Sequence, residues 1–455
     1  MECQECIKKA ELIKELQAKL EIAKQQIADL ERRSQVGFFG SSTPSSKIPV
    51  KASSKGASKS GGARLHHPGH GRKCIQHTEQ TKEAGIPISV PEEYCPDCQR
   101  ELHKHGSKER TVLDATPMQV NTVLYELEQK RCPRCKKVIT AKVPMVLPKC
   151  LFSNQLLNLI AKQHYLYGLT MGHLAKQTHI GIGSLFSAMH DLALMFESVP
   201  DALIANYRVS SVKHADETTW RTDGKNGYAW IFSSSRLVIF KIRDSRSATT
   251  PNEVFGSQPL PGVLVVDRYA GYNKVPCLIQ YCYAHLLRDV TDLEVQFPDS
   301  CEVKYFVSLF APLLARAMGL RAIIPDKGTF IIEASKLKNE IIEVAQRPFL
   351  APSINKMQQF FIDKTHRLFH WANDPMVPAD NNQAEREGRK LVIARKISFG
   401  SQSIIGAHTR EVLMSTLFSL EKTSTDPNAF LSAINQITAG STISPFELLF
   451  QGIPP

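Results

Sequence analysis

The segment Gly262-Val263-Leu264-Val265-Val266-Asp267 decides the fold class of this chain. Four consecutive apolar residues, three of them valine, followed by an acid are typical of a strand buried on both faces of a sheet. Other short apolar segments surround it, and a helix is expected near Asn252. The sequence therefore predicts an α/β fold with the outline β-β-β-α-β-α. The other strand-like segments are 209–216, 228–233, 237–242 and 279–282.

Three acids occupy positions where such a fold gathers ligands. Asp216 follows the apolar part of the first strand, and Asp267 ends the buried strand. Glu385 lies at an expected helix start, with Asp380 or Asn381 as the cap. Carboxylates from two neighbouring strands and a facing helix suit two Mg²⁺ ions, which support in-line displacement at phosphorus. Ordinary strand-end and helix-cap acids are the alternative, and the residues by themselves leave it open.

Two Cys-x-x-Cys turns predict a structural zinc site. Each turn can present two thiolates to one metal ion, and two turns complete a tetrahedral site. A strand-like segment at 120–127 lies between the turns, which suits a zinc ribbon over 91–150. A redox pair and packing cysteines are the alternatives. The four expected ligands are Cys95, Cys98, Cys132 and Cys135.

The N-terminal third carries most of the excess positive charge. The chain has 455 residues and a net charge of +12, and residues 1–150 hold 26 Lys and Arg against 17 Asp and Glu. Apolar residues from Ile13 to Leu30 follow a heptad spacing, which predicts a coiled coil over 1–33 that self-associates or packs on its own chain. Residues 34–73 contain seven basic residues and no acid. We interpret 34–90 as a flexible basic linker, either a phosphate-contacting arm or a solubilising tether.

The remaining segments are expected to be mainly helical. Residues 151–205 form a helical module in which two short helices flank a Gly-containing turn at 179–183. This pattern fits a DNA-contacting helix-turn-helix or a purely structural helical unit. After the core at 206–290, we expect helices at 291–375, a helix and a basic loop at 376–410, and C-terminal helices at 411–455. Within the 376–410 segment, the loop is expected at 395–406.

Composition excludes several classes of protein. With 42% hydrophobic residues the chain is not wholly disordered. No uninterrupted run of about 18 apolar residues exists, so a membrane-spanning helix is not expected. The N-terminus lacks the pattern of a secretory signal, and we therefore expect an intracellular protein.

Several segments resemble the insertion-sequence sixty-six family of bacterial DDE transposases. The resemblance covers nearly the whole chain, including the order of the paired cysteine turns, the helical module and the core. The segments that carry it are Asp216-Glu217-Thr218-Thr219-Trp220, Val266-Asp267-Arg268-Tyr269-Ala270-Gly271-Tyr272, Cys282-Tyr283-Ala284-His285-Leu286-Leu287-Arg288 and Asp380-Asn381-Asn382-Gln383-Ala384-Glu385-Arg386. The last of these is the most specific. Tyr283 replaces the family's usual Trp, and Ile397-Ser398-Phe399 departs from the family's usual Asn-Trp-x-Phe motif.

The resemblance implies a ribonuclease H-like catalytic core interrupted by a helical insertion at 291–375. Asp216, Asp267 and Glu385 would be the catalytic triad and would hold two Mg²⁺ ions, for which Mn²⁺ can substitute. The implied reaction is cleavage at transposon ends followed by attack of the freed 3′ hydroxyl on target DNA. Positively charged or polar residues near the triad are candidate DNA contacts: His285, Arg288, Arg386, Arg389, Arg395 and Lys396. Arg386 and Arg389 could instead pair with acids, and His285 could be a satisfied core histidine. From its position, Trp220 is either a core residue or a base-stacking platform.

The expected partners are transposon-end DNA, target DNA and a second copy of the chain joined through the coiled coil. The expected location is the bacterial cytoplasm, in association with the nucleoid. A catalytically inactive DNA-binding regulator derived from a transposase is the main alternative, and an assembly module with structural acids is a further one. Intact acids at all three positions favour the active enzyme over the regulator.

Overall fold

A computed structural model describes residues 19–20, 24, 93–94, 96–101, 103, 120–131, 133–135, 137–147, 150–450 and 452. The chain divides into two compact units, one formed by residues 53–121 and the other by the rest of the chain. Apart from helical backbone at Lys19, Leu20 and Lys24, the expected coiled coil and basic linker lie outside the described residues.

The larger unit contains a five-stranded sheet and a separate hairpin. In the sheet, the strand order is β5-β4-β3-β6-β7, with antiparallel pairing on the β5 side and parallel pairing on the β7 side. This mixed α/β arrangement confirms the expected strand and helix order. The strands are β1 (Gln129–Arg131), β2 (Val138–Thr140), β3 (Val212–Thr222), β4 (Lys225–Ser233), β5 (Val238–Arg243), β6 (Val263–Val266) and β7 (Leu278–Tyr281).

Fourteen α-helices lie within the described residues. The first four form the expected helical module, and Ser153 caps the first of them by accepting a hydrogen bond from the Leu156 amide. The helices are α1 (Asn154–Ala161), α2 (Met171–Thr178), α3 (Ile182–Met195), α4 (Val199–Val209), α5 (Thr249–Phe255), α6 (Tyr283–Gln296), α7 (Cys301–Ile323), α8 (Lys327–Gln346), α9 (Pro352–Asp363), α10 (His370–Asn373), α11 (Asn382–Ser398), α12 (Ile404–Thr423), α13 (Ala429–Thr438) and α14 (Pro445–Leu449).

Strand β3 is longer than the sequence pattern indicates. It runs six residues past Asp216, so this acid lies in the middle of the strand rather than at its end. The side chains from Asp216 to Thr218 are buried although they are polar, which hides the strand from a hydrophobicity pattern. Pairing with β4 over the whole of His214–Thr222 stabilises the extension.

Helix α12 covers the edge strand β5. The amides of Val238 and Phe240 donate hydrogen bonds to the hydroxyls of Ser419 and Ser415, at 3.0 and 2.9 Å. The Ile242 amide donates in the same way to the Glu411 carboxylate. These side chains satisfy edge amides that would otherwise need another strand or water.

The expected basic loop beginning at Arg395 is wrong, because helix α11 continues through Ser398. Leu391 is fully buried and Ala394 packs against the core, so the apolar face of the helix extends to its last turn. The helix ends where Phe399 and Gly400 adopt positive φ angles of 56° and 115°.

Among the described residues, helix α7 bears on the expectation that no helix spans a membrane. By length and composition alone it is long and apolar enough to span one, with a mean hydropathy of 1.5 over its best window. It also buries Phe306, Phe310 and Leu314 and packs against α6 and α8. A single such helix is weak support for a membrane span, because the core helices of soluble proteins can be equally long and apolar.

Candidate active site

Asp216 and Asp267 are level with each other on neighbouring parallel strands. The pairing of β3 with β6 places His214 opposite Val265, so two further residues along each strand lead to Asp216 and Asp267. Strand β6 ends at Val266, and β3 continues beside β4 alone. Both acids therefore lie where the parallel pairing ends, and only 1% and 6% of their surface is exposed.

Asn381 fixes the start of helix α11 on this part of the sheet. Its side-chain amide donates to the Ala215 carbonyl at 2.8 Å, and its side-chain oxygen lies 2.9 Å from Nδ1 of His214. Its backbone amide donates to Sγ of Cys282 at 3.1 Å. The sequence pattern indicates this asparagine only as a helix cap. The long-range bonds show that it also positions the start of α11 on the sheet.

Helix α11 brings Glu385 over the same region. Glu385 lies in the first turn of the helix and is 7% exposed. Gly388 follows almost one turn later, and a Cβ atom there would lie 3.7 Å from Cδ1 of Ile231 and 3.9 Å from Oδ2 of Asp216. The glycine allows the helix to approach β3 closely, which places one acid from the helix beside two from the sheet.

Burial opposes the ionisation of both Asp267 and Glu385. Burial raises the pKa of Asp267, against the lowering effects of the Tyr269 amide and the Arg246 guanidinium. Burial also raises the pKa of Glu385; Arg288 opposes this shift, and the charge of Asp267 adds to it. A divalent cation would favour the charged carboxylates, because an opposite charge stabilises the ionised form.

The donor set fits Mg²⁺ in chemistry, although the acids do not form one tight cluster. The carboxylate oxygens of Asp216, Asp267 and Glu385 are not all within 4.8 Å of one another in the described chain. Two ions about 3.5–4 Å apart need carboxylates on different sides, so this spread is compatible with a pair of ions. Hard oxygen donors of this kind are those Mg²⁺ prefers.

A buried network around Glu217 escaped the sequence reasoning. Arg246 Nε donates to Glu217 Oε1 at 3.0 Å, and the Tyr272 hydroxyl donates to Oε2 at 2.7 Å. The Arg246 guanidinium stacks 4.0 Å from the centre of the Tyr269 ring, and the Tyr269 amide donates to Asp267 at 2.8 Å. The network thus connects Glu217 to Asp267. Nothing in the linear pattern brings Arg246 or Tyr272 to this position.

Burial first and the charge of Asp267 second raise the pKa of Glu217 to about 7, and Arg246 opposes both effects. Glu217 is completely buried. A carboxyl group with this pKa changes charge near neutrality, so its proton content depends on its partners. Its position one residue after Asp216 is the signal by which sequence reasoning would have found it.

The expected DNA contacts are divided among three places. Arg386 and Arg389 are exposed on α11, and the charge of Arg389 acts on Glu385. Arg386 also lines a cavity of about 550 Å³ together with Arg236 and Arg321. Three guanidinium groups border this cavity, and their positive charge makes it suited to an anion such as a DNA phosphate.

His285 and Arg288 lie on helix α6, close to Glu385. Arg288 is half-buried, and its charge favours the ionised form of Glu385. His285 is buried, and neither ring nitrogen has a hydrogen-bond partner among residues 150–450 or elsewhere in the described chain. Burial lowers the pKa of His285 to about 3, assisted by the charges of Arg288 and Arg268, so the ring is neutral at pH 7.

Arg395 and Lys396 differ in their surroundings. Arg395 Nη1 donates to Oγ1 of Thr218 at 3.0 Å and to the carbonyl of Thr219 at 2.6 Å, whereas Lys396 is exposed. Arg395 therefore ties α11 to β3. Trp220 is 1% exposed and donates to the Ser401 hydroxyl at 3.2 Å, which confirms the core role rather than base stacking.

Both cysteine turns lie between antiparallel segments. In the smaller unit, Tyr94 and Glu101 form a bridge around a turn that contains Cys98. In the larger unit, β1 and β2 flank the turn that contains Cys135. Both of these thiols are exposed and free of disulfides, as a metal-binding turn requires. Cys95 and Cys132 lie outside the described residues.

Comparison with known proteins agrees with these features. Residues 149–409, which are 261 of the 455, match the family model described as Transposase IS66 family. Residues 92–136 match the zinc-finger binding domain of transposase IS66, which supports structural zinc. The uncharacterized protein y4jD of Sinorhizobium fredii (strain NBRC 101917 / NGR234) is 23% identical over 244 residues, covering 50% of this chain and 45% of the relative. The chain thus matches less than half the length of that relative. With its core and its zinc-finger segment both matched, this chain belongs to the Transposase IS66 family.

Proposed function

We propose that the chain is an active DNA transposase in which Asp216, Asp267 and Glu385 form a DDE triad on a ribonuclease H-like core. The observation that carries this proposal is the convergence of three buried carboxylates from β3, the end of β6 and α11. Mixed strand pairing, with α11 lying across β3 and β4, supports the ribonuclease H-like assignment.

The three carboxylates would hold Mg²⁺, which supplies activation of the attacking oxygen and stabilisation of the leaving oxygen. Asn381 holds α11 against the sheet, and Gly388 leaves room for the approach of Glu385 toward Asp216. The Tyr269 amide orients the Asp267 carboxylate through its 2.8 Å bond. Water attacks the phosphodiester at the transposon end and releases a 3′ hydroxyl, which then attacks target DNA.

The basic residues around the triad supply phosphate contacts in this proposal. Exposed Arg386, Arg389 and Lys396 are free to reach DNA, whereas Arg395 acts mainly by holding α11 on β3. Arg288 lies deeper and would face the phosphate nearest Glu385. We place the protein in the bacterial cytoplasm with the nucleoid, as a dimer joined through its N-terminal coiled coil. The four cysteines of the two turns remain the proposed zinc ligands.

Strand cleavage of end DNA by the full-length protein with Mg²⁺ tests the proposal. Replacing Asp216→Asn, Asp267→Asn or Glu385→Gln should lower the rate by about 10³-fold or more, because each removes a charged ligand of the reacting centre. The matched control is Asp201→Asn, an exposed acid on α4, which should cleave like the parent.

Cleavage that survives Asp267→Asn would refute the triad. A parent protein that binds end DNA at low salt but never cleaves it would favour the inactive regulator. Loss of cleavage with retained end binding in all three triad variants, measured by gel shift, separates catalysis from DNA affinity.

A further inference from the structure

We infer that Cys282, His285 and Glu385 form a second transition-metal site, suited to Zn²⁺ and separate from the cysteine turns. One ligand atom from each residue lies within 4.8 Å of the other two. Ligands of a tetrahedral zinc ion are about 3.4 Å apart, given metal–ligand distances near 2.1 Å. The three groups therefore need to close by at most about 1.4 Å, which side-chain rotation can provide.

The fold brings these ligands together from two chain segments. Cys282 immediately precedes helix α6, and His285 lies three residues later on the same side of its first turn. Glu385 arrives from the first turn of α11, which the bond from the Asn381 amide to Cys282 Sγ fastens to this segment. Two helix starts thus bring the three ligand atoms within 4.8 Å of one another.

All three ligands are buried, and two of them, His285 and Glu385, carry polar atoms that have no hydrogen-bond partner in the described chain. His285 is 8% exposed, and in the described part of the chain its Nδ1 and Nε2 have no hydrogen-bond partner. Oε1 of Glu385 is also buried without a partner there. Buried polar atoms without a partner are unfavourable, so a coordinated ion would remove an unfavourable feature of the fold.

The donor chemistry selects zinc over magnesium. Sulfur, imidazole nitrogen and carboxylate oxygen are ordinary zinc ligands, whereas Mg²⁺ takes oxygen donors almost exclusively. Three protein ligands leave a fourth position for water or a phosphate oxygen. Binding releases the Cys282 thiol proton to solvent, since the metal takes the thiolate.

The charges around the three ligands are of both signs. Arg268 and Arg288 act on His285, and they oppose a bound cation. Asp267 and Asp380 act on Glu385 and favour one. The thiolate and carboxylate of the site itself add two negative charges on metal binding, which makes a divalent ion electrostatically acceptable.

The effect of zinc on strand cleavage rests on the proposed function. Glu385 belongs both to this site and to the triad, so zinc held by Cys282 and His285 would withdraw the carboxylate from Mg²⁺. Zinc would then inhibit strand cleavage in competition with Mg²⁺. The site would respond to the availability of a transition metal.

Metal binding itself is tested without any activity measurement. The full-length protein should hold two zinc ions per chain after dialysis, one in the cysteine turns and one here. Cys282→Ala and His285→Asn should each lose one equivalent. Cys277→Ala, a half-buried cysteine on the same segment, is the control and should lose none. Equal zinc content in the parent and both site variants would overturn the inference.

Cobalt gives a second readout on the unaltered protein, in case the variants fold poorly. With the cysteine turns filled by zinc, added Co²⁺ should produce a sulfur-to-cobalt charge-transfer band and the visible bands of a tetrahedral ion. No such absorption from the parent protein would overturn the site. Circular dichroism of each variant shows whether lost metal reflects a lost fold.

The competition is measured last. In Mg²⁺-dependent cleavage, with each protein normalised to its own rate without zinc, Cys282→Ala should need at least tenfold more zinc for half-inhibition than the parent. An unchanged zinc sensitivity would overturn the competition. If no cleavage is found at all, the proposed function fails while zinc content still decides the site.

Discussion

Arg410 shows how a single buried residue joins the helical module to the sheet. It is 6% exposed on α12, and its guanidinium lies 5.4 Å from the ring centres of both Tyr165 and Trp220. Nη2 also lies 3.3 Å from Nε2 of His164, a ring whose Nδ1 faces the Leu169 carbonyl at 2.7 Å. The histidine therefore donates through Nδ1 and accepts through Nε2, which requires the neutral ring.

This arrangement makes stability depend on pH. Burial, and then the charge of Arg410, lowers the pKa of His164 to about 4 from its usual 6.5. A lowered histidine pKa gives stability that is fully present above pH 6.5 and is lost as the pH falls toward 4, because the unfolded chain takes up the proton first.

We expect His164→Gln to reduce the acid sensitivity of the protein. The parent should lose about 2–3 kcal/mol through this residue between pH 6.5 and 4, and the variant should not. Urea unfolding at a series of pH values measures the difference. His179→Gln, at an exposed position, is the control. Identical pH profiles for the parent and His164→Gln would contradict the role given to this ring.

At the scale of elements, helix α11 is attached to β3 at both ends. Asn381 holds its start, and Arg395 holds its last turn through Thr218 and Thr219. After the helix, Ser401 donates to the Arg221 carbonyl at 2.8 Å and extends the sheet by one bridge. The helix that carries Glu385 is thus fixed along its whole length, which suits a group that must meet acids on the sheet.

Gly400 is the tightest point of this attachment. Its φ angle is 115°, and a Cβ atom would lie 2.2 Å from the Arg221 carbonyl oxygen. Gly440 also has a positive φ, 91°, but open space around it. It is therefore a matched control for the backbone effect alone.

We expect Gly400→Ala to cost about 3 kcal/mol or more, and Gly440→Ala about 1 kcal/mol. The excess measures the clash, because both alanines share the unfavourable φ. Chemical denaturation of both variants gives the two values. If the transposase proposal holds, Gly400→Ala should also slow cleavage more than Gly440→Ala does. Equal destabilisation would show that the backbone after α11 shifts to accommodate a Cβ atom at position 400 at little cost in free energy.

At the scale of the molecule, the described residues of the two cysteine turns are separate from the apolar core. Within the described residues, the continuous cluster of buried apolar residues begins at Leu157 and ends at Phe450, and it includes no residue of the two cysteine turns. Removing zinc from the turns should therefore leave the sheet and its helices folded.

We expect Cys98→Ser and Cys135→Ser each to lose one zinc ion per chain, with a thermal transition of the core within a few degrees of the parent. Metal analysis and differential scanning calorimetry measure the two effects. Cys150→Ser, a half-buried cysteine outside the turns, serves as control. Unchanged zinc content in Cys98→Ser would remove this residue from the ligand set.

The outline of the core could be predicted because local patterns determine it. The apolar segment before Asp267 is a buried strand, 171–178 forms a helix as expected, and the three acidic segments identify the family. The pattern failed where buried residues are polar, as in the second half of β3. It also failed at Arg395, where an apolar helix face continues under basic residues.

The sequence by itself determined the family, the order of strands and helices, and the choice of Asp216, Asp267 and Glu385 as the candidate acids. These depend on residue types and on spacing along the chain. Only the tertiary structure decided that Asp216 lies mid-strand where β6 ends, that Arg246 and Tyr272 reach Glu217, and that Cys282 and His285 meet Glu385. Such contacts join residues tens to a hundred positions apart, and they depend on how helices pack on the sheet. No local pattern records that packing.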